Sequence, residues 1–155
     1  MYLVDLIIFW ILGADKTSKT WYLSTWSSTW HKSVEECKSY GMKLTTFGSD
    51  KKEGDELLKF YRASSTHPNA FVGYTDEGHE GTFTTVEGEK LQISLDFHTN
   101  EPNNDGGEDC LELYNYNNNL KFNDVRCKYN KPFICEKENF IKIGSYESKL
   151  ILMCI

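Results

Sequence analysis

The spacing of apolar and polar residues predicts two amphipathic helices in the first half of the chain. Apolar side chains recur at helical intervals in the segments WHKSVEECKSY and DKKEGDELLKFY. The stripes are formed by Trp30, Val34 and Cys37 in the first segment and by Leu57, Leu58 and Tyr61 in the second. Thr29 and Ser49 are residue types that cap helix N-termini, and Gly41 is of the type that ends a helix.

The remaining apolar positions follow the shorter period of strands. KTWYLST and MKLTTF alternate before the second helix. From residue 70 onward, short runs rich in β-branched and aromatic residues are separated by Gly, Asn and Asp clusters. These runs are AFVGYT, GTFTTV, CLELY, LKFNDV and KPFICE. Two helices followed by a series of short strands predict an α+β domain.

A long polar segment without periodicity lies between Leu95 and Cys110, and its second half, EPNNDGGEDC, is crowded with oxygen donors. Loops of this length inside a domain are usually functional or disordered. Carboxylates and amides spaced by glycines suit a calcium ion, which takes about six to eight oxygen ligands. Any one of these residues alone would be read as a solvated turn residue, whereas the group predicts a cation site.

An EF-hand is the first calcium motif to test against this segment. Positions one, three, five, six and twelve of such a loop would be Glu101, Asn103, Asp105, Gly106 and Glu112. However, position one is Glu rather than Asp, and Pro102 stiffens position two. The residues LELY that follow alternate like a strand, where an EF-hand requires its second helix. The sequence therefore excludes an EF-hand.

The composition and net charge of the chain limit which kinds of function are possible. With 155 residues, 39 % of them hydrophobic, the chain is long enough for one domain with a true core. Its formal net charge is −6, and its 17 Lys and Arg residues form no cluster. Phosphate binding requires a basic surface, so a nucleic-acid partner is not expected.

The first residues predict export from the cell. An apolar run from Leu6 to Leu12 is followed by the small residues Gly13 and Ala14, so we expect a signal peptide over residues 1–14 and a secreted, extracellular protein. The alternative is a buried N-terminal strand. The run is far shorter than the roughly 20 residues that a transmembrane helix needs, so no membrane span is expected.

Five cysteines, at positions 37, 110, 127, 135 and 154, are too widely spaced for a zinc ribbon or a redox C-x-x-C motif. In a secreted chain they predict disulfides. Three connectivities are open to the first four cysteines, and spacing does not choose among them. Cys154 is left over, and it either links two chains or stays reduced.

Five short segments, found in this order along the chain, together resemble one known protein family. WHKSVEECKSYGMKL, FVGYTDEGHEG, EPNNDGGEDC, FNDVRC and KPFICE together resemble the carbohydrate-recognition domain of C-type lectins, in its short form. The resemblance covers residues 19–138 and leaves the tail 139–155 unassigned. It implies an α+β fold in which two helices flank small antiparallel sheets and a long loop region binds calcium. The disulfides it implies are Cys37–Cys135 and Cys110–Cys127.

The same resemblance implies two calcium sites. The principal site would be formed by Glu101, Asn103, Glu108, Asn123 and Asp124. A supporting site would be formed by Asp76, Glu80, Asn104, Glu108 and Asp109. By analogy, the peptide bond before Pro102 is expected to be cis. Phe97 and Phe122 stand where the family often has Trp and are expected to fill the core, while His79 and His98 are expected to be exposed loop residues.

The function implied is calcium-dependent sugar binding. Glu101, Asn103, Glu108 and Asn123 would hold two vicinal hydroxyl groups, and the order Glu-Pro-Asn is similar to the family's mannose-type signature. The expected ligands are mannose-, N-acetylglucosamine- or fucose-type glycans on microbial or host glycoproteins, as in innate immunity, and the protein could act as an oligomer. The alternative is a protein or lipid partner, with calcium purely structural. No enzyme is expected, because the sequence contains neither G-x-S-x-G nor H-E-x-x-H.

Overall fold

A computed structural model describes residues 16–47, 51–64, 68–116 and 119–141 of the chain. These ranges contain two helices and six strands, which confirms the expected α+β architecture. In chain order the elements are β1 (Lys16–Leu23), α1 (Trp30–Ser39), β2 (Lys43–Leu44), α2 (Lys51–Arg62), β3 (Ala70–Thr75), β4 (Cys110–Tyr116), β5 (Asn119–Val125) and β6 (Ile134–Ile141).

The strands form two three-stranded sheets. One has the order β1-β6-β2 and the other β3-β4-β5. The pairs β2–β6, β3–β4 and β4–β5 are antiparallel. Gly73 lets β3 approach β2, since its N–H donates to Thr45 O at 2.7 Å and a Cβ there would lie 2.7 Å from Leu44 O. Only glycine can occupy this position without displacing the backbone.

Two apolar clusters bury the predicted stripes of the helices. Leu57 and Tyr61 of α2 pack with Phe47, Val72 and Leu111. Trp30 and Cys37 of α1 belong to the second cluster, with Phe71 and Phe133 among its buried members. Each buried Leu or Phe side chain contributes roughly 1.5 to 3 kcal/mol, so these two stripes dock both helices against the strands.

Two disulfides tie the elements together. Cys37 in α1 is bonded to Cys135 in β6, with the Cα atoms 5.5 Å apart. Cys110 at the start of β4 is bonded to Cys127 just after β5, with the Cα atoms 5.1 Å apart. These are the pairs that the resemblance implied. The second bond closes a short loop and is worth roughly 3 kcal/mol in a chain-entropy treatment.

The chain divides into two units. Trp21–Lys137 contains both helices and the β3-β4-β5 sheet. Within the other unit, Asn139 Nδ2 donates to Thr20 Oγ1 at 2.7 Å. Neither helix of the described ranges combines the length and the apolar composition that crossing a bilayer requires. The expected signal peptide, Ser49, Cys154 and most of the tail lie outside the described residues.

Three details of the secondary structure differ from the sequence-based expectation. Thr29 occupies the N-cap of α1, but its side chain makes no capping hydrogen bond; its carbonyl accepts from the N–H and hydroxyl of Ser33 instead. MKLTTF contributes only the two residues of β2. GTFTTV forms no strand, because Thr84 makes only isolated bridges to Thr75 and Lys90 before the chain turns.

Candidate functional site

The loop between β3 and β4, residues 76–109, carries most of the predicted ligands, and both of its ends are tied together. The hydroxyl of Thr75 and the N–H of Asp76 donate to the carbonyl oxygen of Asp109, at 2.7 and 3.0 Å. The antiparallel pairing of β4 with β5 then brings Asp124 beside the end of this loop. Sheet pairing therefore assembles residues that are far apart in sequence.

Asp124 holds the Pro102 turn in place. It is 1 % exposed, and its two carboxylate oxygens accept the backbone N–H groups of Asn103 at 3.2 Å and Asn104 at 2.7 Å. The Glu101–Pro102 peptide bond is cis, as expected. A buried carboxylate with charge-assisted hydrogen bonds to two successive amides fixes the loop on β5.

Three of the predicted principal ligands, Glu101, Glu108 and Asp124, form one acidic group in the sense that their charges interact, although within the described ranges their carboxylate oxygens do not all lie within 4.8 Å of one another. Burial raises the pKa of Glu101, and the hydrogen bond and charge of Asp124 raise it further. Burial also raises the pKa of Glu108, together with the charges of Asp124 and Asp105. Glu101 Oε2 is buried and has no hydrogen-bond partner among the described residues. A cation at this point would relieve both the repulsion and the missing contact.

The two amides predicted for the principal site make other contacts in this structure. Asn103 is exposed, and its Oδ1 accepts the N–H of Asp105 at 2.7 Å. Asn123 lies in β5, and its Nδ2 donates to Glu112 Oε1 at 3.0 Å. Since an amide oxygen has two lone pairs and an amide nitrogen two hydrogens, neither contact exhausts the side chain.

Asp76, Glu80 and Asp109, predicted for the supporting site, form a second acidic group. One carboxylate oxygen of each residue lies within 4.8 Å of the others. Asp76 Oδ2 accepts the N–H of Gly81 at 2.8 Å, whereas Asp76 Oδ1 is buried without a partner among the described residues. Burial raises the pKa of Asp76; the Gly81 N–H partly offsets this, and the charge of Glu80 adds to it.

Asn104 connects the two acidic groups. Its Nδ2 donates to Glu80 Oε2 at 2.5 Å, and its Oδ1 accepts the N–H of Glu108 at 2.9 Å. Its φ of 51° lies in the left-handed region, which Asn adopts more readily than most residues. One side chain thus couples the positions of both groups.

The donors in both groups fit calcium. They are carboxylate and amide oxygens without a cysteine or histidine, which is the ligand chemistry of a hard cation rather than of zinc. Two of the carboxylate oxygens, Glu101 Oε2 and Asp76 Oδ1, are buried without hydrogen-bond partners among the described residues. Buried carboxylates normally have partners, and a bound cation is one partner that would satisfy these two atoms.

Three residues of the site were not identified from the sequence. Glu112 was read as part of a strand, yet it is buried and its Oε2 contacts Lys131 Nζ at 2.7 Å. Burial raises the pKa of Glu112, and Lys131 opposes this. Arg126 Nη2 donates to Asp105 O at 3.3 Å and lies against Gly106, where a Cβ would overlap the guanidinium. The sequence did offer one indication of the role of Glu112, since this charged residue lies within the apolar run CLELY.

The aromatic residues near the site follow the expectation except at one position. Phe122 is buried, with its ring centroid 5.3 Å from that of Phe47 and 6.5 Å from that of Phe97. His79 is exposed, as predicted. His98 was also expected to be exposed, but it is partly buried, and its ring packs edge-on against Tyr114 at 5.2 Å. That expectation was wrong because the loop folds back onto β4.

Comparison with known proteins identifies the family. The model of the Lectin C-type domain matches residues 26–137. The chain is 30 % identical over 148 residues to C-type lectin mosGCTL-7 of Aedes aegypti, covering 91 % of this chain and 97 % of the mosquito protein. It is 33 % identical to the CD209 antigen of Papio hamadryas over 76 % of this chain, but it spans only 31 % of that protein's length.

A solved structure shows the same fold. The C-type lectin domain of murine dendritic cell inhibitory receptor 2, determined in complex with N-glycan, aligns with a TM-score of 0.67 and 20 % identity. The alignment covers 79 % of this chain and 92 % of the murine domain. At this level of identity the likeness concerns the fold.

Proposed function

Because this chain belongs to the C-type lectin domain family, we propose that it is a secreted, calcium-dependent lectin for mannose-, N-acetylglucosamine- or fucose-type glycans. The observation that supports this most strongly is the acidic group of Glu101, Glu108 and Asp124, with the unpartnered Glu101 Oε2. The family fold is typically non-enzymatic, and we propose that this chain catalyses no reaction.

The residues that would hold the principal calcium are Glu101, Asn103, Glu108, Asn123 and Asp124. Bound calcium would supply positions at which two vicinal sugar hydroxyls, at carbons 3 and 4, replace water. A hydroxyl group both donates and accepts, so it can donate to a carboxylate and accept from an amide. Glu101 with Asn103 would hold one hydroxyl, and Glu108 with Asn123 the other.

A supporting calcium would be held by Asp76, Glu80, Asn104, Glu108 and Asp109. The contacts of Asn104 with Glu80 and Glu108 join this site to the principal one. We propose that its role is to order the loop, since it would neutralise carboxylates that otherwise repel each other.

The proposed partners are mannose-type glycans of microbial or host glycoproteins, encountered outside the cell. Few groups of a monosaccharide would be buried at so open a site, so each site should bind weakly. Useful affinity would then require several sites acting together on one glycan surface.

Calcium-dependent retention on a mannose resin tests the proposal. We expect the protein to bind mannose-agarose in millimolar calcium and to elute with EDTA, because the hydroxyls bind through the ion. Galactose-agarose is the control resin and should retain less protein. Retention on mannose that survives EDTA would contradict the mechanism. Calcium binding without retention on any sugar resin would favour a protein or lipid partner instead.

A double substitution tests the sugar preference. Glu101→Gln with Asn103→Asp keeps an oxygen at both positions but exchanges which one carries the amide donor, so the preferred hydroxyl geometry changes. We expect calcium binding to persist and preference to move from mannose towards galactose. Glu87→Gln with Asn130→Asp makes the same chemical changes at exposed positions and is the matched control. Unchanged mannose preference in the first variant would refute the assigned roles.

A further inference from the structure

A buried carboxylate beneath the proposed sugar site connects Asn123 to a lysine. Glu112 of β4 is 1 % exposed. Its Oε1 accepts the Nδ2 hydrogen of Asn123 at 3.0 Å, and its Oε2 contacts Lys131 Nζ at 2.7 Å. One carboxylate oxygen thus accepts a hydrogen bond from Asn123, and the other forms an ion pair with Lys131.

The backbone gives this chain of contacts little freedom. Glu112 and Asn123 are directly paired across β4 and β5. Lys131 is held by two backbone hydrogen bonds with Ser28, at 2.9 and 3.0 Å. Its side chain is only 18 % exposed. The backbone positions of Glu112 and Asn123 are therefore fixed relative to each other, and Lys131 is anchored at its own backbone beside them.

The chemistry of the three groups determines the orientation of the Asn123 amide. An ammonium can only donate, so Lys131 must meet an oxygen of Glu112. The other carboxylate oxygen can likewise only accept, so Asn123 must present an N–H to it. Because the amide is planar, Oδ1 of Asn123 then lies on the other side of the group, away from Glu112. Without such a partner, an asparagine amide could adopt either of its two flipped orientations.

We propose that Glu112, oriented by Lys131, is a positioning residue that fixes the Asn123 amide so that its oxygen, not its nitrogen, is presented to the cation. The second N–H of Asn123 remains available for a sugar hydroxyl. The inference rests on the proposed function and deepens it, since it assigns the orientation of one ligand to two residues outside the proposed ligand set.

The stability of the fold does not by itself explain why the chain buries the ion pair between Glu112 and Lys131. A buried ion pair contributes little net stability, since desolvation of both charges offsets their attraction, and apolar replacements are often neutral or stabilising. Metal affinity, in contrast, is sensitive to groups that orient ligands, and their loss typically lowers it about 10- to 100-fold.

The test is a substitution and its rescue. In Glu112→Gln the amide oxygen of the new glutamine should turn towards Lys131. Its NH₂ group then faces Asn123. The Asn123 amide must therefore flip, so that its oxygen points towards residue 112 instead of the cation. Calcium affinity measured by titration calorimetry should fall about 10- to 100-fold. In the double variant Glu112→Gln with Lys131→Met, no donor remains on the lysine side, so the oxygen of the new amide can accept from Asn123. We expect the double variant to recover most of the lost affinity.

Glu136→Gln is the matched control. Glu136 is also 1 % exposed, also lies within ion-pair distance of a lysine, Lys43 at 3.4 Å, and belongs to the other sheet. A general effect of losing a buried carboxylate would lower calcium affinity in both single variants. The proposal requires that only Glu112→Gln does so and that the double variant is better than the single one. Equal affinities in the single and double variants would overturn it.

A measurement on the metal-free protein separates this inference from the proposed function. In the wild type, NMR should show nuclear Overhauser effects between the Asn123 side-chain NH₂ and the Glu112 methylene protons. They should weaken in Glu112→Gln and return in the double variant. Absence of the contact in the wild-type protein would refute the inference even if a variant failed to fold. Failure of calcium binding alone, with the contact present, would instead refute the proposed function.

Discussion

Replacing Asp124 by Asn is expected to lower calcium affinity by at least about 100-fold, more than the loss of a residue that merely orients a ligand. The substitution removes a charge from the proposed principal site. It also places an NH₂ against a backbone N–H, because Asp124 accepts from Asn103 and Asn104 with its two oxygens. The loop would therefore lose one of its attachments to β5 together with one ligand.

Calorimetric titration with calcium and thermal melts measure this effect. Asp55→Asn, on the exposed face of α2, removes the same charge far along the chain and should bind calcium like the wild type. Circular dichroism of the metal-free variant establishes whether it is folded. A folded Asp124→Asn protein with the calcium affinity of the Asp55→Asn protein would exclude Asp124 from the site.

Calcium is expected to reverse the pH dependence of the protein's stability. In the metal-free protein, burial raises the pKa of Asp76, Glu101 and Glu108, and neighbouring carboxylates contribute. A carboxyl whose folded-state pKa is raised contributes stability below its unfolded pKa, and that contribution is lost as the pH rises through the folded pKa. These groups should therefore make the metal-free protein less stable at neutral than at mildly acidic pH.

Calcium binds the ionised carboxylates, so protons compete with it. At a calcium concentration about 100 times the dissociation constant, binding stabilises the fold by about 2.7 kcal/mol, or roughly 5 to 10 °C in melting temperature. This increment should be largest near neutral pH and should shrink on acidification, as should sugar retention.

Melting curves of dialysed protein, with and without millimolar calcium, test this between about pH 7 and about pH 5. Dialysis is preferable to a chelator, whose own affinity changes with pH. The pKa of Glu36 is lowered chiefly by its hydrogen bond from Trp26, so this group makes the fold more stable as the pH rises. Because Glu36 contributes equally to the melting curves with and without calcium, it does not affect the difference between them. A calcium-induced increment that stays constant over this pH range would contradict carboxylate ligation.

The acidic loop of the candidate site could be recognised from the sequence because several of its residues are close together in the chain. Glu101, Asn103 and Glu108 lie within one short segment whose composition already indicates a cation. The two helices and their buried faces were likewise predicted from local periodicity, since Trp30, Leu57 and Tyr61 are indeed buried. The pairing of the cysteines came from the resemblance, because spacing alone left three connectivities.

The remaining features depend on contacts between distant residues. Thr84 alternates with its neighbours as in a strand, but whether a strand forms depends on a partner of sufficient length, and only isolated bridges are present. His98 was misjudged because its burial depends on Tyr114, which lies on another element. Glu112 and Lys131 are ordinary residues in sequence, and their connection with Asn123 exists only in the folded sheet.

The sequence by itself determined the two helices and the acidic loop, because each depends on residue types at short, regular spacings, and the family was recognised from a resemblance carried by five segments of the chain. Tertiary structure alone decided that Asp124 anchors the Pro102 turn and that Glu112 and Lys131 hold the Asn123 amide. The physical reason is that hydrogen bonds act over about 3 Å, and only strand pairing brings these distant positions within that range.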